Sequence, residues 1–152
     1  MENLHIPHFQ TKIEQRGEKK FIFDPFRKQY VALTPEEWVR QQFLSWLCNT
    51  FGYPKGLIAV ETPLKYNELK KRADAVIYNR QLKPVMIIEV KSTQVNITQE
   101  TFEQAVRYNF TFKTPYIILT NGLTHYCCFI NHEQKKVQYL SDIPHYKQIA
   151  QM

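Results

Sequence analysis

The chain has 152 residues and a formal net charge of +6, from 20 lysines and arginines against 14 aspartates and glutamates. That length fits one domain, and 43% apolar residues are enough to bury a core, which excludes a disordered tail; only 4 glycines exclude collagen-like or linker-like character. The moderate positive balance points to an anionic partner, of which nucleic acid is the commonest.

Residues 1–20 are polar and unpatterned and predict a loosely attached arm. Met1 to Gln10 holds Glu2, His5 and His8 and no apolar run, which is not the pattern of a secretion signal. Phe21-Ile22-Phe23, a turn at Asp24-Pro25 and Tyr30-Val31-Ala32 predict a short hairpin. Thr34-Pro35-Glu36-Glu37 then opens a helix, with Thr34 as the cap, Pro35 at the first position and Glu37 as the capping-box partner. Val39, Phe43, Leu44, Trp46, Leu47 and Phe51 follow at helical spacing, and Gly52 and Pro54 stop the helix.

Leu57 to Thr62 predicts a strand, and Lys65 to Lys71 a basic, polar connection. Ala73 to Tyr78 is a further strand, 79–84 a turn, and Val85 to Lys91 a strongly apolar strand expected at the centre of a sheet. Thr98 caps a second helix over Gln99 to Phe112. Tyr116 to Thr120 is a strand ending in the turn Asn121-Gly122, and His125 to Ile130 and Val137 to Leu140 complete the sheet. The expected division is an arm at 1–20, one domain at 21–145 and a short polar tail at 146–152. Its order, α-β-β-β-α-β-β, predicts an α/β fold, a mixed sheet with helices packed on it.

Cys127 and Cys128 are adjacent and point to opposite faces of their strand. With three cysteines and no CxxC pair, neither a disulfide framework nor a structural zinc site is expected, and a reducing cytoplasm suits the chain. No apolar stretch approaches the roughly 20 residues of a membrane span.

Chemistry concentrates at the end of the apolar strand. Glu89 and Lys91 are two apart and share a face, and charges there are costly to bury without a partner. A divalent cation and a bound phosphate would supply one. Mg²⁺ takes hard oxygen ligands, here the carboxylates of Asp74 and Glu89 and the carbonyl of Val90, with Mn²⁺ as a substitute. Lys91 would position the attacking water or offset developing negative charge. An ordinary salt bridge at a strand end explains an E-x-K pattern equally and is more common. In a simple hairpin through 79–84 the polar ends are not expected to meet, so a strand bend is needed to bring Asp74 beside Glu89.

On the first helix, Glu36 falls at the middle of the apolar face with Val39 and Phe43, which makes it a candidate third acidic group. Pairing with Arg40 four residues on is the competing explanation. Gln104 and Tyr108 stack at i and i+4 on the second helix and could orient a water or phosphate; a packed Tyr108 beside an exposed Gln104 is the plainer alternative. His125 lies in a strand and reads as a packed or surface histidine. No glycine-rich phosphate loop and no G-x-S-x-G elbow occurs.

Taken in order, Thr34-Pro35-Glu36-Glu37-Trp38-Val39-Arg40-Gln41, Lys71-Arg72-Ala73-Asp74, Ile88-Glu89-Val90-Lys91, Gln104-Ala105-Val106-Arg107-Tyr108 and Leu119-Thr120-Asn121-Gly122 resemble the N-terminal nuclease domain of type I restriction enzyme R subunits, in a compact stand-alone form. The resemblance covers roughly residues 21–145. It implies the PD-(D/E)xK nuclease superfamily: a restriction-endonuclease-like mixed sheet flanked by helices with an α-β-β-β-α-β core, a Mg²⁺-dependent phosphodiesterase site, and DNA as substrate. It assigns Asp74 as the motif aspartate, Glu89 and Lys91 as the E-x-K pair, Glu36 as the helix glutamate, and Gln104 and Tyr108 as a Q-x-x-x-Y motif. Ala73 stands where the family name has proline. In the large subunits an ATP-driven translocase follows this domain, so translocase and specificity functions are expected from separate subunits. Cutting two strands takes two sites, which makes a homodimer one way to act.

Overall fold

The computed structural model describes residues 2–66 and 69–151, with the backbone alone for 62–66, 69–72 and 111. Its first strands are β1 (Ile13–Arg16), β2 (Lys19–Asp24) and β3 (Gln29–Ala32), an antiparallel sheet in that order. β2 and β3 are the expected hairpin. β1 falls in the segment expected as a loose arm, and Gly17 at φ +63° closes its turn onto β2. All four β1 residues are exposed, so the strand carries no apolar alternation to announce it.

Helix α1 (Pro35–Thr50) starts where the cap predicts, with the Thr34 hydroxyl accepting from Glu37 N at 3.0 Å. Trp38, Val39, Arg40, Gln41, Gln42, Phe43 and Leu44 are buried without a break, so the helix is covered on more than one face. The sheet described below covers one side and the chain's first residues another. Phe9 N donates to Gln42 Oε1 and Gln42 Nε2 to Phe9 O, both at 2.9 Å; Trp38 Nε1 donates to Glu2 O at 3.1 Å. His5 N reaches Gly122 O at 2.8 Å. The arm is thus fastened, by side chains of α1 and a turn far along the chain, rather than loose.

The main sheet has six strands in the order β4 (Ile58–Tyr66), β5 (Leu69–Tyr78), β6 (Pro84–Val90), β7 (Tyr116–Thr120), β8 (His125–Asn131) and β9 (Lys136–Leu140). Every pairing is antiparallel except β6 with β7, where α2 (Gln99–Asn109) makes the crossover that parallel neighbours require. β6 and β7 are central and almost wholly buried, in keeping with their unbroken apolar runs. The basic connection expected over Lys65–Lys71 is not a loop: β4 and β5 run through its described part, with Leu64 opposite Lys71 and Lys65 opposite Lys70. Residues 67 and 68 of that connection lie outside the described residues.

Val39, Phe43, Leu44 and Leu47 of α1 pack on one sheet face against Ala75, Ile77, Met86, Ile88 and Ile118. Phe102 and Val106 of α2 pack on the other against Ile117, Leu119, Cys128 and Ile130. Each fully buried side chain of this kind contributes about 1.5–3 kcal/mol. Cys127 joins the first cluster and Cys128 the second, the opposite facing that adjacency predicts. The tail, expected to be short and polar, forms α3 (Tyr146–Ile149), which buries Tyr146 and Ile149. No helix among the described residues is long and apolar enough to cross a membrane.

Candidate functional site

β5 and β6 form a hairpin whose register sets the site. Ile77 pairs with Met86, Val76 with Ile87 and Ala75 with Ile88, so Asp74 and Glu89 are the next residues on their strands. The hairpin therefore brings the two polar ends level by itself, contrary to the obstacle expected from sequence. Counting outward from the turn one residue per strand at a time gives the same result. A bend is present as well. Ala73 packs with Val76, three residues on, and with Val76's strand partner Ile87, so strict alternation fails between Ala73 and Val76.

There the Asp74 carboxylate accepts from Val90 N at 2.7 Å, a side chain standing in the place of a backbone acceptor. An extended residue directs its N–H and its C=O to the same neighbouring strand, so the Val90 carbonyl is directed to the Asp74 side of β6. Lys91 N donates across to Thr120 O at 2.8 Å, which continues the ladder to β7 and keeps the exposed Lys91 on the Glu89 side. Asp74, Glu89, Val90 and Lys91 thus gather at one end of the central hairpin.

Electrostatics mark the same spot. Burial pushes the Asp74 carboxyl above its ordinary range; the Val90 hydrogen bond and Arg40 oppose this, and the charges of Glu89 and Glu36 add to it. Arg40 Nη1 lies 3.6 Å from Asp74 Oδ1, and its Nη2 lies 2.5 Å from Glu37 Oε1 and 3.5 Å from Glu61 Oε1. Arg27 bonds Asp24, reaches Glu37 at 2.7 Å and Glu61 at 3.0 Å. Four carboxylates thus share two guanidinium groups, and the surplus is negative.

Glu36 and Glu37 exchange the burial expected of them. Glu36 is exposed, on the rim of a cleft with Thr34, Pro35 and Ser92, close enough for its charge to act on Asp74. Glu37 is the buried one, held by Arg27, Arg40 and Gln41. Its carboxylate is taken up by these partners, so the capping box is formed only on the Thr34 side. Arg40 accordingly pairs with Glu37, three residues away, and not with Glu36. A single apolar face cannot describe a helix covered on several sides, and that is why the face assignment misplaced Glu36.

On α2, Gln104 is exposed and Tyr108 is 53% exposed, with its ring 6.2 Å from that of Phe112. The α2 residue that turns to the site is Asn109, which is buried and donates to Glu89 Oε1 at 3.3 Å and to Ala105 O at 2.7 Å. Sequence reasoning passed over it. Its signal was a polar residue at i+3 from Val106 on the buried face. Asn109→Ala is expected to cost about 1–3 kcal/mol in urea denaturation, because two acceptors lose a buried donor. Gln104→Ala should stay within about 0.5 kcal/mol.

His125 is packed, its Nδ1 2.6 Å from Thr120 Oγ1 and its ring against Phe43 and Trp46; burial lowers its affinity for a proton. A groove lies elsewhere, lined by Lys83, Pro84, Lys113, Pro115 and Phe129 at the opposite end of β6, about 16 Å along the strand from Glu89. It holds none of the residues gathered around Asp74.

The donor set suits a hard divalent cation: two carboxylates and a carbonyl in a negatively charged setting. Among the described residues no group of three or more His, Cys, Asp or Glu side chains is assembled to hold a metal ion, so any ion here relies on the carbonyl and on water for its remaining ligands.

The family model for the type I restriction enzyme R protein N terminus matches residues 35–144. No curated protein is detectably similar in sequence. Among solved structures, a fragment of a candidate HsdR subunit of a type I restriction enzyme from Vibrio vulnificus YJ016 superposes with a TM-score of 0.54 at 19% identity, over 80% of this chain and 25% of that one. A candidate nuclease of the DUF820 group from Anabaena variabilis ATCC 29413 gives a TM-score of 0.49 at 10% identity, over 91% of this chain and 88% of that one. The chain spans about a quarter of the Vibrio fragment. With the α-β-β-β-α-β core of α1 to β7 and a family match over most of its length, the chain belongs to the type I restriction enzyme R protein N-terminal family and has a restriction-endonuclease-like fold.

Proposed function

We propose that the protein is a Mg²⁺-dependent phosphodiesterase that hydrolyses the DNA backbone. The observation that carries this is the Asp74 carboxylate docked on Val90 N beside Glu89, at the end of the central hairpin. Asp74, Glu89 and the Val90 carbonyl would hold the ion, with Glu36 at the rim acting through water. When bound, Mg²⁺ lowers the pKa of a coordinated water and offsets charge on the phosphate.

The chain's own side chains do the rest. Lys91, exposed at the strand end, orients the attacking water or takes up charge developing on the phosphate. Asn109 holds Glu89 from the buried side. Gln104 and Tyr108, exposed one turn apart on α2, would meet substrate rather than metal. The family name further supports separate subunits for translocation and sequence reading.

A second reading is a DNA-binding or assembly module that keeps the fold without cutting. The lack of three assembled ligating side chains among the described residues favours it. Purified protein incubated with supercoiled and linear DNA and Mg²⁺ or Mn²⁺ decides between them. Cleavage is expected, with Lys91→Ala slowed by about 10²-fold or more. Salt-sensitive binding without any cleavage, or a Lys91→Ala protein that cuts as fast as the wild type, would overturn the phosphodiesterase.

A further inference from the structure

The β4–β5 ribbon does not stop where the sheet does. β6 pairs with β5 over Ala75–Tyr78, whereas β4 and β5 go on pairing from Thr62 opposite Ala73, through Pro63 with Arg72, Leu64 with Lys71 and Lys65 with Lys70, to Tyr66 with Leu69. Five residue pairs beyond the sheet make a two-stranded ribbon about 15 Å long. It leaves the sheet at Ala73, immediately beside Asp74.

The sequence of this ribbon is unlike the rest of the chain. Residues 62–72 contain Lys65, Lys70, Lys71 and Arg72 against the single acid Glu68, so one short segment carries +3 of the chain's net +6. The residues around Asp74 have the opposite sign, with four carboxylates against two arginines. A polyanion brought to that end of the sheet meets repulsion from these carboxylates, which the exposed Lys91 offsets only in part, and attraction from the ribbon beside them. A two-stranded ribbon also has the width that the major groove of B-form DNA admits.

We propose that the β4–β5 ribbon is the element that holds duplex DNA against the site, through its phosphate backbone. The inference rests on DNA as the partner under the proposed function and adds where the duplex is held. Phosphate contacts of this kind are independent of base sequence and weaken with salt, because neutralising each phosphate releases counterions.

The test is binding of a labelled duplex of mixed sequence, in the absence of divalent cation, by fluorescence anisotropy across a salt series. The proteins are the wild type, a ribbon variant (Lys65→Gln, Lys70→Gln, Lys71→Gln, Arg72→Gln) and a control that loses the same charge elsewhere (Lys19→Gln, Lys20→Gln, Lys135→Gln, Lys136→Gln). Circular dichroism and thermal melting establish that each is folded; single substitutions replace the ribbon variant should it fail to fold. The ribbon variant is expected to bind about tenfold or more weakly at 0.1 M salt, with its log K against log salt slope reduced by up to about 3.6, or about 0.9 for each phosphate no longer neutralised. The control should be far closer to the wild type on both measures.

An unchanged slope and affinity in the ribbon variant would overturn the inference, as would equal losses in variant and control. Wild-type protein that does not bind duplex at low salt would overturn it too. Failure of the phosphodiesterase shows up separately, as DNA that is bound but never cut.

Discussion

Asp74→Asn is expected to abolish DNA cleavage while making the metal-free protein more stable. The two effects have one cause. Burial, together with the charges of Glu89 and Glu36, pushes the Asp74 carboxyl above its ordinary range, against the opposing pull of Val90 N and Arg40. The folded protein therefore binds the Asp74 proton more tightly than the unfolded chain does. Stability falls as pH rises from the ordinary carboxylate range through the raised folded value, and at neutral pH the ionised Asp74 works against folding. Asparagine removes the charge and still offers an oxygen to Val90 N. Its thermal midpoint in chelator should lie above that of the wild type at neutral pH, and the two should converge in acid. Adding Mg²⁺ reverses the order: the wild type gains stability by binding the ion, and the variant gains little. Cleavage should fall by about 10³-fold or more, the several kcal/mol that a bound cation supplies to a reacting phosphate. A variant that cuts like the wild type, or one no more stable than it in chelator, contradicts the role assigned to Asp74.

Much of this arrangement could be read from the residues. The cap at Thr34, the unbroken apolar run of β6 and the Asn121-Gly122 turn are local signals, and each of those elements forms as expected. β1 could not be found this way, because a four-residue strand exposed throughout leaves no alternation. Nor could the fastening of Glu2, His5 and Phe9, whose partners lie in α1 and in the Gly122 turn. Gly122 itself, at φ +86°, has no space for a side chain: a Cβ would lie 2.9 Å from Leu4 and 3.3 Å from Val39. At the site, the Asp74 and Glu89 strands follow from hairpin register. The exchange of Glu36 and Glu37, and the part of Asn109, depend on which surfaces cover a helix, which is tertiary information.

The same distinction makes Glu37 the position of largest expected effect on folding. Its side chain is 4% exposed and lies between Arg40, at 8%, and Arg27. Burial raises its pKa, but hydrogen bonds from Gln41, Arg40 and Arg27 outweigh that and hold the carboxyl below its ordinary range. The sign is opposite to that of Asp74: the stability Glu37 contributes is full above the ordinary carboxylate range and is lost as pH falls through its depressed folded value. Glu37→Ala takes from the buried Arg40 its nearest carboxylate, leaving Asp74 at 3.6 Å and Glu61 at 3.5 Å, and from the partly buried Arg27 one of three; Arg40 already has an Nε without an acceptor among the described residues. The expected loss is about 3–5 kcal/mol by urea denaturation at neutral pH, shrinking in acid. Glu37→Gln keeps the volume and offers a neutral acceptor, so it should lose less and serves where the alanine variant does not fold. Glu36→Ala, on an exposed first turn, should stay within about 1 kcal/mol. Function is affected too. Arg40 already lies 3.6 Å from Asp74 Oδ1, and once Glu37 is neutral more of its charge is left to Asp74, where it competes with any cation. Glu37→Gln should therefore need more Mg²⁺ than the wild type for the same rise in thermal midpoint. If Glu36→Ala proves the more damaging of the two to folding, or if the Mg²⁺ requirement of Glu37→Gln is unchanged, Glu37 does not offset the charge that Arg40 brings to Asp74.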